Sequence, residues 1–161
     1  MKISIVTPTY NELENIEKIY SEIKNEFKKL NCEYEHIIID NCSTDGTINR
    51  IKDLAQNDKN LKVIINSKNY GHIRSPFYGL LQSTGDASIL MAADFQDPIN
   101  LISQYIEEWK KGNKIVLGEK ITSEESQIKF SLRKLFYKFL NNISDFELTK
   151  NTTGSGIFDK S

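Results

Sequence analysis

Short runs rich in β-branched residues alternate with longer segments whose apolar residues recur at helical spacing, and this alternation most constrains the fold. Ile3–Val6 is an apolar run stopped by Thr7-Pro8, the pattern of a strand buried on both faces. From Leu13 to Leu30, apolar side chains at Ile16, Ile19, Tyr20, Ile23 and Phe27 share one helical stripe with charges between them. Glu35–Ile39 predicts a second strand. Ser43-Thr44-Asp45-Gly46-Thr47 is a cap-forming loop leading into a helix through Ile48, Ile51 and Leu54. Leu61–Ile65 predicts a third strand and Ile73–Gln82 a helix with Pro76 in its first turn. Gly85-Asp86 turns into a strand over Ala87–Met91, and Pro98 opens a helix through Leu101, Ile102, Tyr105, Ile106 and Trp109 that stops at Gly112. Ile115–Leu117 is a further strand, Glu119–Ser126 a polar surface loop, Gln127–Ile143 a helix, and Ile157-Phe158 part of a late strand. Strands separated by helices of this length imply βαβ units. The expectation is an α/β fold, a mostly parallel sheet with helices on both faces.

The chain has 161 residues, which suits one domain with a substantial core. Its 21 Lys and Arg balance 22 Asp and Glu, so the basic footprint of a general nucleic-acid binder is absent. No run approaches the ~18 apolar residues of a membrane span. The N-terminal segment, interrupted at Pro8 and Asn11, lacks the pattern of a secretory leader. Cys32 and Cys42 lack metal-ligand spacing and are expected to be reduced thiols.

In open α/β sheets, ligands bind beyond the carboxyl ends of the strands, so the residues just after each strand carry the information. After the first come Thr7, Pro8, Tyr10, Asn11 and Glu12; after the second, Asp40, Asn41, Ser43 and Asp45. The third is followed by Asn66 through Arg74, and the fourth by Ala92, Asp94, Gln96 and Asp97. An aromatic ring, several acids, amides and an arginine at one sheet edge suit a nucleotide. Three nucleotide and hydrolase signatures are missing: no G-x-G-x-x-G follows the first strand, and neither a P-loop nor a G-x-S-x-G elbow occurs.

Four blocks, in order, resemble glycosyltransferase family 2. They are Ile5-Val6-Thr7-Pro8-Thr9-Tyr10-Asn11-Glu12, Ile39-Asp40-Asn41-Cys42-Ser43-Thr44-Asp45-Gly46-Thr47, Asn69-Tyr70-Gly71 and Met91-Ala92-Ala93-Asp94-Phe95-Gln96-Asp97-Pro98. They look most like the branch of dolichyl-phosphate mannose synthase and the bacterial polyprenyl-phosphate glycosyltransferases. The resemblance implies a GT-A fold and an inverting transfer of a sugar from a nucleotide-sugar donor to a polyprenyl-phosphate or saccharide acceptor. It places that work in the cytoplasm, at the inner face of the plasma membrane. By position it assigns Pro8, Tyr10, Glu12, Asp40, Asn41 and Gly71 to the nucleotide, together with Asp94. Asp94, with Gln96, would hold a divalent cation, Mg²⁺ or Mn²⁺. Lys120 and Arg133 match basic positions that pair with the donor diphosphate or an acceptor phosphate, alongside Asp94, as catalytic residues.

The sequence departs from the family at three of these places. The first acid of its D-x-D is Ala92, the second acid of its D-D-G-S is Asn41, and the Gly of that motif is Cys42. Ala92 weakens the expected metal site, and it supports an alternative in which the chain binds a nucleotide-sugar without turnover. Asp45 reads as a helix-cap residue, Asp97 as either a cap or a metal neighbour, and His72 as an exposed loop side chain. The basic side of the 127–143 segment suits a membrane surface or a solvated face. Family members carry further acceptor-side elements beyond the position matching Ser161, so the chain is expected to be a catalytic domain truncated on that side.

Overall fold

The computed structural model describes residues 1–119 and 152–161. Along the chain run β1 (Lys2–Thr9), α1 (Ile16–Leu30), β2 (Glu33–Asp40), α2 (Thr47–Gln56), β3 (Leu61–Ile65), α3 (Gly71–Leu81), β4 (Ala87–Leu90), α4 (Leu101–Lys110), β5 (Ile115–Glu119) and β6 (Thr152–Asp159). Packing divides the chain into a larger unit, Met1–Leu117 with Ser155–Ser161, and a smaller one, Gly118–Gly154. All that follows concerns the larger unit. The expected helix over Gln127–Ile143 lies outside the described residues, as does all of the expected loop except Glu119, which ends β5.

The described strands form one sheet in the order β3-β2-β1-β4-β6-β5. β1 pairs in parallel with both β2 and β4, β2 pairs in parallel with β3, and β6 lies antiparallel to β4. The first three strands step outward in one direction, then α3 carries the chain back to the opposite side of β1. Right-handed crossovers running in opposite directions put their helices on opposite faces of a sheet. Accordingly α1 and α2 pack on one face, which α4 shares, and there Ile16, Ile19, Ile23, Phe27, Ile51, Ile102 and Ile106 meet Ile3, Ile5, Ile38 and Ile89. α3 covers the other face, over Val6, Ile37 and Ile39. Alternate residues of β1 and β2 thus go into two cores, which is why those strands read as unbroken apolar runs.

Helix α1 forms where the stripe Ile16, Ile19, Ile23, Phe27 is buried, with Glu17 in its first turn, Lys28 and Lys29 in its last, and Asn31 closing it at φ 48°. It starts at Ile16 rather than Leu13 because Leu13 is held in the preceding loop by Asp45, whose Oδ2 accepts its N–H at 3.1 Å. α4 likewise begins three residues after the expected Pro98, whose carbonyl accepts the Leu101 N–H in a preceding turn. The largest departure is in α3, which starts at Gly71 and so leaves Pro76 in its second turn. Proline has no N–H to offer the His72 carbonyl, a defect worth about 3 kcal/mol inside a helix. The helix nevertheless begins early because Gly71 is anchored there through Asn69 and Asn41.

β6 lies between β4 and the edge strand β5. Ile157 opposes Ile89 across the antiparallel pair, Tyr105 of α4 bonds Ser155 at 3.2 Å, and Trp109 donates its Nε1–H to Asp159 at 2.6 Å.

Candidate functional site

The reversal of strand order falls between β1 and β4, so the crevice beyond their carboxyl ends is where such a sheet offers a ligand site. The register pairs Thr9 with Asp40, so β1 and β2 leave the sheet at one level, and pairs Val6 with Leu90, so β4 ends three residues short of them. Tyr10, Asn41 and Asp94 stand one to four residues beyond those pairs. Pro8 is placed by the same register. Val6 accepts the Met91 N–H, so Pro8, two residues on, turns its missing donor toward a β4 that has already ended.

Two loops at this edge are fastened together. Asn11 N–H donates to Ser43 Oγ at 2.8 Å and Thr44 N–H to Asn11 Oδ1 at 2.9 Å. Glu12 N–H donates to Thr47 Oγ1 at 3.0 Å, and Leu13 N–H to Asp45 Oδ2. Burial works against the Asp45 charge, but the Thr47 hydroxyl and amide and the Leu13 amide outweigh it and hold the carboxyl below its ordinary range. Asp45 is therefore a clasp between the two loops rather than the helix cap read from the sequence: the N-cap of α2 is Gly46, and Asp45 accepts the Thr47 N–H from one residue further out, at 3.0 Å. Three of the four non-glycine residues with positive φ among the described residues lie in the loops after β1, β2 and β4: Asn11 (57°), Cys42 (69°) and Phe95 (57°). Backbone held in that region costs roughly 1 kcal/mol or more per residue and persists only where its surroundings enforce it. Cys42 therefore occupies a position whose backbone suits glycine.

Asp40 is wholly buried. Its Oδ1 accepts the Ser43 N–H at 2.8 Å, and its Oδ2 accepts the hydroxyls of Ser43 and, at 3.3 Å, Thr9. Asn41 joins three segments. Its amide donates to Asn69 Oδ1 at 2.8 Å and to the Gly71 carbonyl at 3.3 Å. Its Oδ1 accepts from Asn66 Nδ2 at 3.2 Å and from the Tyr70 N–H at 2.8 Å. A carboxylate could not make the first pair of bonds, so the departure to Asn at this position has a structural cause. Gly71 holds φ 84° beside it. Asp40, Asn41 and Gly71 thus belong to the frame of the crevice, Asn41 bonded to Gly71 and the Asp40 carboxylate to Thr9 and Ser43.

Other candidate residues are presented outward. Tyr10 and Asp94 are exposed, as are Ala92 and Gln96, and Glu12 is half-buried with its carboxylate accepting from Asn15 at 2.8 Å. Asp94 Oδ1 accepts the Gln96 N–H at 3.1 Å, which ties the loop and leaves Oδ2 without a hydrogen-bond partner among the described residues. Among the described residues no three His, Cys, Asp or Glu side chains gather to hold a metal ion. A hard divalent cation takes six or more oxygens. This donor set fits one only if a bound diphosphate brings most of them, with Asp94 supplying a carboxylate. Lys120 and Arg133 lie outside the described residues.

Sequence reasoning placed Ser43, Thr47, Asn66 and Asn69 at this edge but gave them no part in fastening the frame. Their trace is the density of Ser, Thr and Asn after the second and third strands, residues that bond to loop backbone. Beside the frame, Asn66, Ser67, Tyr70, Arg74, Ser75 and Tyr78 line a cleft of about 490 Å³ between the end of β3 and the start of α3.

Comparison with known proteins gives one answer. A sequence model of Glycosyl transferase family 2 matches residues 4–161. The chain is 36% identical to a prophage bactoprenol glucosyl transferase homolog of Escherichia coli over 153 residues, 94% of this chain and 50% of that one. It superposes on S. aureus TarS in complex with UDP-GlcNAc with a TM-score of 0.61 at 26% identity, covering 78% of this chain and 36% of that one. Glucosyl-3-phosphoglycerate synthase from Mycobacterium tuberculosis, solved with Mn²⁺, UDP and its product, shares the fold at a TM-score of 0.66 and 18% identity, over 98% of this chain and 56% of that one. The chain spans about half the length of the curated relatives it matches.

Proposed function

Because the chain belongs to glycosyl transferase family 2, we propose that it carries the donor side of an inverting transfer of a sugar from a nucleoside-diphosphate sugar to a polyprenyl phosphate. The observation that supports this best is the crevice at the β1–β4 reversal. There a fastened frame presents Tyr10 and Asp94 outward at the ends of adjacent parallel strands. The nucleoside lies against Pro8 and Tyr10, with Glu12 beside it and Asp40, Asn41 and Gly71 shaping the floor. Asp94 Oδ2, with the Gln96 amide oxygen, would hold Mg²⁺ or Mn²⁺ together with the donor diphosphate. When bound, such an ion offsets the negative charge gathering on the departing diphosphate.

In the transfer, the bond between the anomeric carbon and the diphosphate oxygen breaks as an acceptor oxygen bonds the opposite face of that carbon. The nucleoside diphosphate leaves with the electron pair. A lipid phosphate oxygen is already anionic and gives up no proton, so no base is required; a saccharide hydroxyl would need a carboxylate to take its proton. Lys120 and Arg133 are proposed to pair with phosphate oxygens of donor or acceptor. A polyprenyl phosphate is confined to a bilayer, which would place the protein at the cytoplasmic face of the plasma membrane.

Ala92 favours a second reading, a module that binds the nucleotide-sugar without turnover. One assay separates them. Labelled UDP-glucose is incubated with the protein, Mn²⁺ and polyprenyl phosphate in detergent, and label is counted in the organic phase and as free sugar. Transfer that Asp94→Asn lowers by about 100-fold or more supports the enzyme. Donor binding with neither transfer nor hydrolysis supports the module.

A further inference from the structure

Helix α3 meets the sheet mainly with small residues, joined by Leu80, and turns most of its large ones away. Ser75, Pro76 and Gly79 are buried. On the outer side Ile73, Phe77 and Leu81, at i, i+4 and i+8, are 71%, 60% and 64% exposed, with Tyr70 and Tyr78 half exposed beside them. A surface helix ordinarily shows the reverse arrangement, and an apolar stripe of this kind marks an interaction surface.

Along the chain, the charges flanking α3 have one sign. Between Asp58 and Asp86 the sequence contains no Asp or Glu, although the chain has 22 of them, while Lys59, Lys62, Lys68 and Arg74 fall in that interval. Lys62 is paired with Glu35. Lys68 lies 5.3 Å over the Tyr70 ring, and neither it nor Arg74 has a carboxylate partner among the described residues. Free cations therefore stand at the edge of the apolar stripe, next to two tyrosines.

We propose that the outer face of α3 docks on an anionic lipid bilayer. Ile73, Phe77 and Leu81 enter the acyl boundary, Tyr70 and Tyr78 lie at the headgroup level, and Lys68 and Arg74 meet lipid phosphates. A second copy of the chain fits this face poorly, because a two-fold contact would set the same cations against each other. Docking here turns the sheet face opposite α1, α2 and α4 toward lipid and brings Gly71, at the edge of the crevice, close to the membrane. The inference does not depend on the proposed transfer, since it is measured without donor or acceptor.

The test is co-sedimentation of the 161-residue chain with phosphatidylcholine vesicles, with and without phosphatidylglycerol. The wild type is expected to bind the anionic vesicles, less as salt rises. The variant carrying Ile73→Gln, Phe77→Gln and Leu81→Gln is expected to lose on the order of tenfold or more in partitioning, with its circular dichroism and melting unchanged. Lys68→Gln with Arg74→Gln should lose several-fold and shed most of the salt dependence. Three results would overturn the proposal. They are wild type left in the supernatant of both vesicle types, equal binding by the triple variant, and a wild-type dimer in sedimentation that the triple variant dissolves.

Discussion

Asn41 shows how much one atom can decide at this edge. Its amide nitrogen donates to Asn69 and Gly71 while its oxygen accepts from Asn66 and Tyr70, in a position only 7% exposed. Asn41→Asp keeps the shape, removes both donated bonds and sets a charge against two oxygens. We expect it to lower the unfolding free energy by about 2 to 3 kcal/mol in urea titrations, the cost of buried groups left without partners. His36 makes a prediction of a different kind. It is fully buried, stacked on Tyr20 at 6.2 Å and bonded to the Thr7 hydroxyl at 2.9 Å. Burial pushes its pKa down from 6.5 to about 3, against a weaker pull from Asp58. The folded protein thus holds the neutral ring while the unfolded chain takes up a proton first. Its contribution is complete above an ordinary histidine pKa and falls as pH drops toward 3, by about 1.4 kcal/mol per unit. Glu35, held well below its ordinary range by Lys62, Ser4 and Thr84 against its own burial, adds a loss only below about 4.5. Stability should therefore fall by about 2 kcal/mol between neutral pH and about pH 5, and His36→Gln should flatten that slope. The sequence singled out neither role. At Asn41 the mismatch to an acidic family position read only as a departure, because which groups an amide joins depends on loops distant in the chain.

At the scale of elements, strands and helices were legible where hydrophobic period and length agreed, and least so where a side chain elsewhere set the boundary. Leu61–Ile65 falls on its expected residues. β6 extends well beyond Ile157-Phe158, because Gly154, Ser155 and Gly156 carry no apolar alternation and their pairing comes from neighbouring strands. α3 is the instructive case. Its apolar residues predict a helix, but periodicity does not say which side faces the sheet. Gly79 settles that by letting the helix approach so closely that a Cβ would lie 2.7 Å from Val6 Cγ1 and 3.2 Å from Ile39 Cγ2. Gly79→Ala should therefore destabilise by about 1 to 2 kcal/mol despite the better helix propensity of alanine, read as a lower melting temperature.

For the whole molecule, the strand order that reverses at β1 puts the ends of β1, β2 and β4 side by side, and the loops after them form one fastened edge. The motif blocks fall at that edge because they follow β1, β2, β3 and β4. Which of their residues would face a ligand was not legible. Asp40 and Asn41 turn inward to bond the frame, whereas Tyr10 and Asp94 turn outward. The central claim is that this outward edge binds a nucleoside-diphosphate sugar with a cation held at Asp94. Titration calorimetry of the chain with UDP-glucose tests it most directly, with and without Mn²⁺, in the wild type, Asp94→Asn and Ala92→Asp. We predict Mn²⁺-dependent binding that Asp94→Asn weakens by about tenfold and that Ala92→Asp tightens toward Mn²⁺ by restoring a second carboxylate. Binding unaffected by Mn²⁺ and equal in all three proteins would contradict the account.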